Sequence, residues 1–169
     1  MNSPAPWLTL LVLACTAADA APAKRPPARP VAGVVTNVID GDTLDVQVAG
    51  QAPMRVRLRD IDAPESCQPW GVEARKALEE MALGKSVELR TYAADRYGRT
   101  VASVSVDGQD LGQAMVVEGH AWSVRTKWDN GPLVKQERQA RALGRGLHAT
   151  AGAVSPAEFR RMNGACPRP

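Results

Sequence analysis

Short segments in which apolar and polar residues alternate, separated by turn residues, are the feature that most constrains the fold of this chain. Residues 31–61 carry β-branched and other apolar side chains at alternate positions, which is typical of half-buried strands. An Asp-Gly-Asp turn at residues 40–42 interrupts them and predicts a hairpin. Pro64 ends the third segment, because proline has no N–H to donate to a sheet. Residues 31–61 are therefore predicted to form three strands.

The spacing of apolar residues then changes to that of a helix. Residues 70–83 place apolar side chains on one helical face and charged ones on the other, and Gly84 ends the helix. Two more strands are predicted at residues 86–91 and 99–106, with helices at 111–118 and 133–143. This order is expected of an α+β chain with an OB-fold, a five-stranded Greek-key β-barrel, and about three helices.

The N-terminal residues differ from the rest of the chain. Residues 7–15 are apolar, and small residues lead to a cleavage site after Ala20, so residues 1–20 are predicted to be a signal peptide. The apolar stretch is too short for a bilayer-spanning helix, so no stable membrane association is expected. Export leads to the periplasm or to secretion, and lipidation of Cys15 is an alternative. The Pro- and Ala-rich residues 21–30 are interpreted as a tether, residues 31–150 as the domain and residues 151–169 as a tail.

Charge and cysteine content add two expectations. The net charge of +3 is compatible with a polyanionic partner without being diagnostic of one. Removal of residues 1–20 would leave Cys67 and Cys166. In an oxidising compartment a disulfide between them, which would tie the tail to the domain, is favoured over two free thiols.

Four acidic residues lie near predicted strand ends: Asp40, Asp42, Asp62 and Glu65. Adjacent strands lie roughly 5 Å apart, so these carboxylates can meet in one pocket. Their mutual repulsion calls for a cation, and a hard cation such as calcium prefers oxygen ligands. The alternative is that residues 40–42 are only a turn and that Asp62 only caps a strand.

Two arginines could complete such a site. Arg57 precedes Asp62 by five residues, and Arg99 ends a second polar segment. Guanidinium groups bind phosphate oxygens bidentately, so two of them beside a metal could hold a phosphodiester. The alternative is that Arg55, Arg57 and Arg59 form a solvated stripe on one face of a strand.

Three segments carry a resemblance to a known family. IDGDT at residues 39–43, VRLRDIDAPE at 56–65 and DRYGR at 95–99 resemble the signature blocks of the thermonuclease (staphylococcal-nuclease-like) family. The likeness extends over residues 31–148, and SPAEFRR at 155–161 resembles endings of bacterial members. The resemblance implies a calcium-dependent endonuclease that hydrolyses phosphodiester bonds of DNA and RNA. A monomer is the default expectation, and single strands are expected to be the favoured substrate.

The resemblance also implies roles for individual residues. Calcium would be bound by Asp42, Asp62, the backbone carbonyl of Ala63 and, through water, Asp40. Glu65 would orient or deprotonate the attacking water. The scissile phosphate would be held by Arg57 and Arg99. The reaction would break the 5′-side P–O bond and leave a 3′-phosphate.

Substrate contacts beyond the scissile phosphate are expected from the same segments. Arg96 and Tyr97 would touch a neighbouring phosphate. Where the family has tyrosines that stack on a base, this chain has Val124 and Arg125. Trp128 could supply that stacking face, whereas core packing is the favoured interpretation of nearby Trp122.

Two other functions stay open at this stage. An inactive OB-type module that only binds nucleic acid or protein would lose acidic or arginine positions that this chain keeps. A metal-dependent phosphodiesterase for small substrates would keep the same residues, and activity on polymers would distinguish it.

Overall fold

The computed structural model describes residues 29–126 and 131–167. The strands in chain order are β1 (Val31–Asp40), β2 (Thr43–Val48), β3 (Met54–Leu58), β4 (Ile61–Asp62), β5 (Ser86–Ala94), β6 (Thr100–Val106), β7 (Gln109–Asp110) and β8 (Trp122–Ser123). The helices are α1 (Gly71–Ala82), α2 (Leu111–Val117), α3 (Val134–Ala142) and α4 (Pro156–Asn163), with a 3-10 turn at Gly146–Ala149.

Five of these strands form a closed barrel. Antiparallel pairs join β3 to β2, β2 to β1, β1 to β5 and β5 to β6, and a parallel pairing of β3 with β6 closes the ring. This is the predicted OB-fold of the α+β class, so the fold prediction is confirmed. The described residues contain four α-helices where about three were expected, because α4 in the tail was not predicted.

The barrel interior is filled by the apolar side chains that alternate along its strands. Fully buried examples are Val35, Leu44, Val56, Leu89 and Val104. Helix α1 packs Ala74 and Leu78 into the same core. Each fully buried aliphatic side chain of this size contributes roughly 1.5–3 kcal/mol. The apolar core thus fixes the position of the strand ends that carry the acidic residues.

The third predicted strand is interrupted. It ends at Leu58, the Arg59 N–H donates to the Ala102 carbonyl at 2.9 Å, and Asp60 adopts a positive φ of 67° before β4 begins. Arg59 therefore leaves the alternation, and its guanidinium lies 4.0 Å from the ring centre of Tyr92. The alternative in which Arg55, Arg57 and Arg59 form one solvated stripe is therefore wrong, because this turn redirects the chain after β3.

The remaining elements agree with the predicted order. Helices α1, α2 and α3 lie within the residues predicted for them, while β5 runs three residues beyond its predicted end, to Ala94. No helix among residues 29–126 and 131–167 has the length and apolar character needed to cross a membrane.

Candidate active site

The tight turn between β1 and β2 brings Asp42 into the site. A Cβ atom on Gly41 would lie 2.7 Å from the Cβ of Ala63 and 2.8 Å from that of Ala74, so only glycine fits between these neighbours. Asp42 is buried and accepts hydrogen bonds from the Ala63 N–H at 2.8 Å and the Thr43 hydroxyl at 3.1 Å. Its carboxylate is thereby fixed against the end of β4.

Arg57 lies between two of the predicted metal ligands. The pairing of β2 with β3 puts Arg57 opposite Thr43, beside Asp42. One guanidinium nitrogen, Nη1, lies 2.5 Å from Asp42 Oδ2, and the other, Nη2, lies 3.0 Å from Asp62 Oδ1. We call Asp42, Arg57 and Asp62 the floor of the site.

Burial controls the protonation of the floor. It raises the pKa of Asp42 to about 7, against the attraction of Arg57, while the charges of Asp40 and Asp62 raise it further. Burial also raises the pKa of Asp62, although Arg57 and another guanidinium oppose this, and Glu65 adds to the rise. Burial therefore favours the protonated form of both floor carboxyls, and Arg57 only partly opposes this.

Glu65 lies in the loop after β4, and a buried glutamine positions this loop. The Glu65 N–H donates to Gln68 Oε1 at 3.1 Å, and Gln68 Nε2 donates to the Val154 carbonyl at 2.9 Å. Gln68 therefore links the Glu65 loop to the C-terminal tail. This role was not predicted, because a glutamine in a loop belongs to no periodic pattern.

The tail also contributes a charged side chain that was not predicted. Nη1 of Arg160, on α4, contacts Glu65 Oε1, and Nη2 lies 3.4 Å from Asp62 Oδ2. We call Glu65 and Arg160 the rim of the site. The Ser-Pro-Ala-Glu segment at residues 155–158 could have predicted α4, since Ser155 caps the helix by accepting from the Glu158 N–H.

The predicted disulfide is confirmed. Cys67 and Cys166 are bonded, with their Cα atoms 5.6 Å apart and a sequence separation of 99. Cys67 is two residues after Glu65, and Cys166 is six residues after Arg160. The bond therefore ties the tail helix to the loop that carries Glu65.

The DRYGR segment lies at the turn between β5 and β6. Asp95 accepts from the Tyr97 and Arg99 N–H groups and pairs with Arg99 Nε at 2.7 Å. Arg99 Nη1 also donates to the Thr43 hydroxyl at 3.3 Å, next to Asp42. The structure thus brings Arg99 to the edge of the floor, with Asp95 as a positioning residue that the sequence did not single out.

Arg96 and Tyr97 lie on the exposed part of that turn. The Arg96 guanidinium is 4.9 Å from the ring centre of Tyr97, and that of Arg99 is 5.6 Å from it. The two side chains thus accompany Arg99 on the surface, where a neighbouring phosphate could reach them.

The remaining residues considered in the sequence analysis lie in several different parts of the chain. Asp40 accepts from the Asp42 N–H at 3.0 Å and so stabilises the turn. Trp122 is buried, as expected for core packing, and Arg125 pairs with buried Glu137 at 2.7 Å. Trp128 lies outside the described residues.

The donor set has the chemistry of a hard-cation site. Asp40, Asp42, Asp62 and the Ala63 carbonyl offer oxygen ligands, which are the ligands that calcium prefers. In the part of the chain that is described, no three acidic, histidine or cysteine side chains surround one point closely enough to hold an ion. Arg57 takes that place between Asp42 and Asp62. The ligand types therefore fit calcium, while their placement requires Arg57 to release at least one carboxylate.

Comparison with known proteins agrees with this fold and site. The model of the family described as staphylococcal nuclease homologue matches residues 55–150. The chain belongs to the staphylococcal nuclease homologue family. A micrococcal nuclease of Shigella flexneri is 37% identical over 142 residues, covering 78% of this chain and 81% of the relative. An uncharacterized endonuclease of Haemophilus influenzae is 36% identical over 129 residues, covering 76% and 72%.

A plant relative is longer than this chain. A probable staphylococcal-like nuclease of Oryza sativa subsp. japonica is 44% identical over 108 residues, which cover 63% of this chain and 32% of the relative. The chain thus spans about a third of that protein and most of the two bacterial ones. The family and the names of its members support a nuclease.

Proposed function

We propose that the protein is a calcium-dependent endonuclease that hydrolyses phosphodiester bonds of DNA and RNA. The observation that carries the proposal is the position of Arg57 between two carboxylates of the floor, with Glu65 beside Asp62. A half-buried arginine among acidic groups at the end of a barrel is more than the fold requires, because apolar residues would fill the same space at lower cost. The residue types match the hydrolysis of a phosphodiester.

The residues that would hold calcium are Asp42, Asp62, the Ala63 carbonyl and, through water, Asp40. Bound there, calcium would supply positive charge to a phosphate oxygen and to the developing charge of the transition state. Asp42, at present paired with Arg57, would exchange that partner for the cation. The guanidinium would then be available to the substrate.

Glu65 handles the attacking water. Its carboxylate orients the water or accepts its proton, while the water oxygen forms the new bond to phosphorus. The bond from phosphorus to the 5′-oxygen breaks, that oxygen takes up a proton, and a 3′-phosphate remains. Proton acceptance by a positioned carboxylate contributes about 10²–10⁴-fold to such reactions.

The arginines bind the phosphate. Arg57 approaches from the floor and Arg99 from the β5–β6 turn, so two guanidinium groups can hold the equatorial oxygens. Arg96 and Tyr97 contact the next phosphate along the strand, and Trp128 offers a face on which a base stacks. The exposed positions of Arg96 and Tyr97 suit a polymeric substrate, and single strands are the favoured form in this proposal.

The proposal includes export of a monomer to the periplasm or the medium, without stable membrane association. Residues 1–20 have the composition of a signal peptide, followed by a Pro- and Ala-rich tether at 21–30. The Cys67–Cys166 bond is of the kind that persists in oxidising compartments.

Cutting of single-stranded DNA by residues 21–169 tests the proposal. We expect cutting in calcium that EDTA abolishes and that Glu65→Gln lowers by about 10²–10⁴-fold. Glu73→Gln is the matched control, because Glu73 is an exposed acidic residue on α1, and it should cut like the wild type. Binding of DNA without cutting in any metal would instead identify an OB-type binding module. Cutting of small phosphodiesters but not of plasmid DNA would exclude a polymer substrate.

A further inference from the structure

We propose that Arg160 is a third phosphate-binding arginine, which the Cys67–Cys166 disulfide delivers to the site. This inference rests on the proposed nuclease function, because it concerns how the same site binds its substrate. It assigns to the C-terminal tail a substrate-positioning residue outside the three signature segments. The family model also ends before this residue, since it matches residues 55–150.

The tail is attached to the Glu65 loop at several points. The disulfide joins Cys166 to Cys67, and the Cys67 N–H also donates to the Cys166 sulfur at 3.1 Å. Gln68 bonds the Val154 carbonyl, and Pro156, the first residue of α4, is buried. These contacts lie on both sides of Arg160 in the sequence, so its backbone is held at the site from two directions.

The Arg160 side chain lies on the open side of the site. It is 42% exposed, against 17% for Arg57 in the floor. Its contacts with Glu65 and Asp62 use two of the five N–H donors that a guanidinium carries. A substrate approaching from solvent would therefore meet Arg160 before it meets Arg57.

The present partners of Arg160 are Asp62 and Glu65. In the proposed reaction both have other roles, since Asp62 binds calcium and Glu65 contacts the attacking water. Calcium bound to Asp62 would offset the charge of that carboxylate and so weaken its attraction for Arg160. A phosphodiester brings oxygen acceptors of the same charge to the same place. A guanidinium binds such oxygens through two parallel hydrogen bonds, so Arg160 can exchange a carboxylate for a phosphate with little movement of α4.

Tight substrate binding would then require the Cys67–Cys166 disulfide. Cys67 is exposed and Cys166 half-buried, so a reductant can reach the bond. In a reducing compartment the tail would lose its covalent tie, and Arg160 would be held from the Val154 side alone. The nuclease would then bind substrate weakly until oxidation completes the site.

Steady-state kinetics of Arg160→Gln, with the disulfide formed, tests the role of the side chain. We expect KM for single-stranded DNA to rise roughly ten- to hundredfold, as for the loss of charge-assisted hydrogen bonds, with kcat changed by less than about threefold. The Kd of a phosphorothioate single-stranded oligonucleotide in calcium should rise by the same factor. Arg160→Lys keeps the charge and should recover part of both losses.

Arg161→Gln is the matched control. Arg161 is the next residue on α4 and carries the same charge, but it is 76% exposed and pairs with Glu158 on its own helix. Its loss should change KM and Kd by less than about twofold. An Arg160→Gln variant with unchanged KM and Kd, or one that cuts faster because the contact was inhibitory, would overturn the proposal. Failure of the wild type to cut would instead refute the nuclease function itself.

A double-mutant cycle tests delivery by the disulfide. Replacement of both Cys67 and Cys166 by serine should raise KM as Arg160→Gln does, and adding Arg160→Gln to the serine variant should have little further effect. Far-UV circular dichroism confirms that each variant is folded at the assay temperature. Independent, multiplicative effects of the two changes on KM would show that the bond does not act through Arg160.

Discussion

The floor and the rim of the site each pair an arginine with carboxylates, but different parts of the structure position these side chains. Asp42 and Arg57 belong to paired barrel strands or the turn between them, and backbone hydrogen bonds fix both. Glu65 and Arg160 lie in a loop and a tail helix, and the disulfide next to them replaces strand pairing. The barrel core thus sets the geometry of the floor, whereas one covalent bond and a few hydrogen bonds set that of the rim.

The floor and the rim also differ in burial, and therefore in the free-energy cost of leaving a charge there unpaired. The side chains of Asp42 and Arg57 are 7% and 17% exposed, so an unpaired charge there is costly. Arg160 is far more exposed, and solvent-screened pairs are worth about 0–1 kcal/mol. Changes in the floor should therefore affect both stability and activity, and changes in the rim side chains mainly activity.

Arg57→Gln should give the largest effect. It leaves the buried Asp42 carboxylate without its cation, so we expect a loss of roughly 3–5 kcal/mol in unfolding free energy, together with loss of cutting. Urea denaturation at neutral pH measures the stability, and cleavage of single-stranded DNA measures the activity.

Arg55→Gln is the control for that change. Arg55 lies on the same strand and pairs with Asp45 at 2.9 Å, but its side chain is 54% exposed. Its loss should cost less than about 1 kcal/mol and leave cutting intact. Equal destabilisation by both variants would mean that burial does not separate the floor from an ordinary surface ion pair.

Reduction of the disulfide should have the next largest effect. A bond across 99 positions restricts the unfolded chain, and its loss should lower the unfolding free energy by about 2–4 kcal/mol. Thermal unfolding with and without reductant measures this. The variant with serine at Cys67 and Cys166 should melt at the temperature of the reduced wild type, and reductant should not change that temperature. An unchanged melting temperature of the wild type on reduction would contradict the prediction.

The floor was predictable from the sequence because its geometry is local. An Asp-Gly turn and two alternating segments determine the strand register, and the register places Arg57 beside Asp42. The resemblance then assigned the roles. The turn at Asp60 was not predicted, because its positive φ is unusual for a residue other than glycine.

The rim was predictable only in part. Glu65 is in a signature segment, and the Cys67–Cys166 pairing followed from the cysteine count and expected export. Arg160 was not predicted, because its position depends on a contact with Glu65, which is 95 residues away in the sequence. Such a contact leaves no periodic pattern in the sequence. Two sequence signals bear on the position of Arg160: the disulfide brings residue 166 close to the Glu65 loop, and the cap at Ser155 predicts where α4 begins.

The pH dependence of Asp42→Asn gives the smallest predicted effect, and it isolates the floor. The Asp42 pKa rises from 3.8 to about 7 on folding, so its stabilising contribution is present below pH 4 and is lost as pH rises through 7. Asparagine lacks this titration. The metal-free variant should therefore gain stability over the wild type as pH increases from 5 to 8, on the order of 1–3 kcal/mol, while losing cutting.

Denaturation in EDTA at pH 5 and pH 8 measures that difference, with Asp45→Asn as the control. The Asp45 pKa is lowered by its hydrogen bond with Arg55, so its contribution is present above pH 4 and is lost only in more acidic solution. The difference between Asp45→Asn and the wild type should therefore stay constant from pH 5 to 8. If the difference for Asp42→Asn were also constant, burial would not raise the Asp42 pKa, and the floor would resemble the rim in its electrostatics.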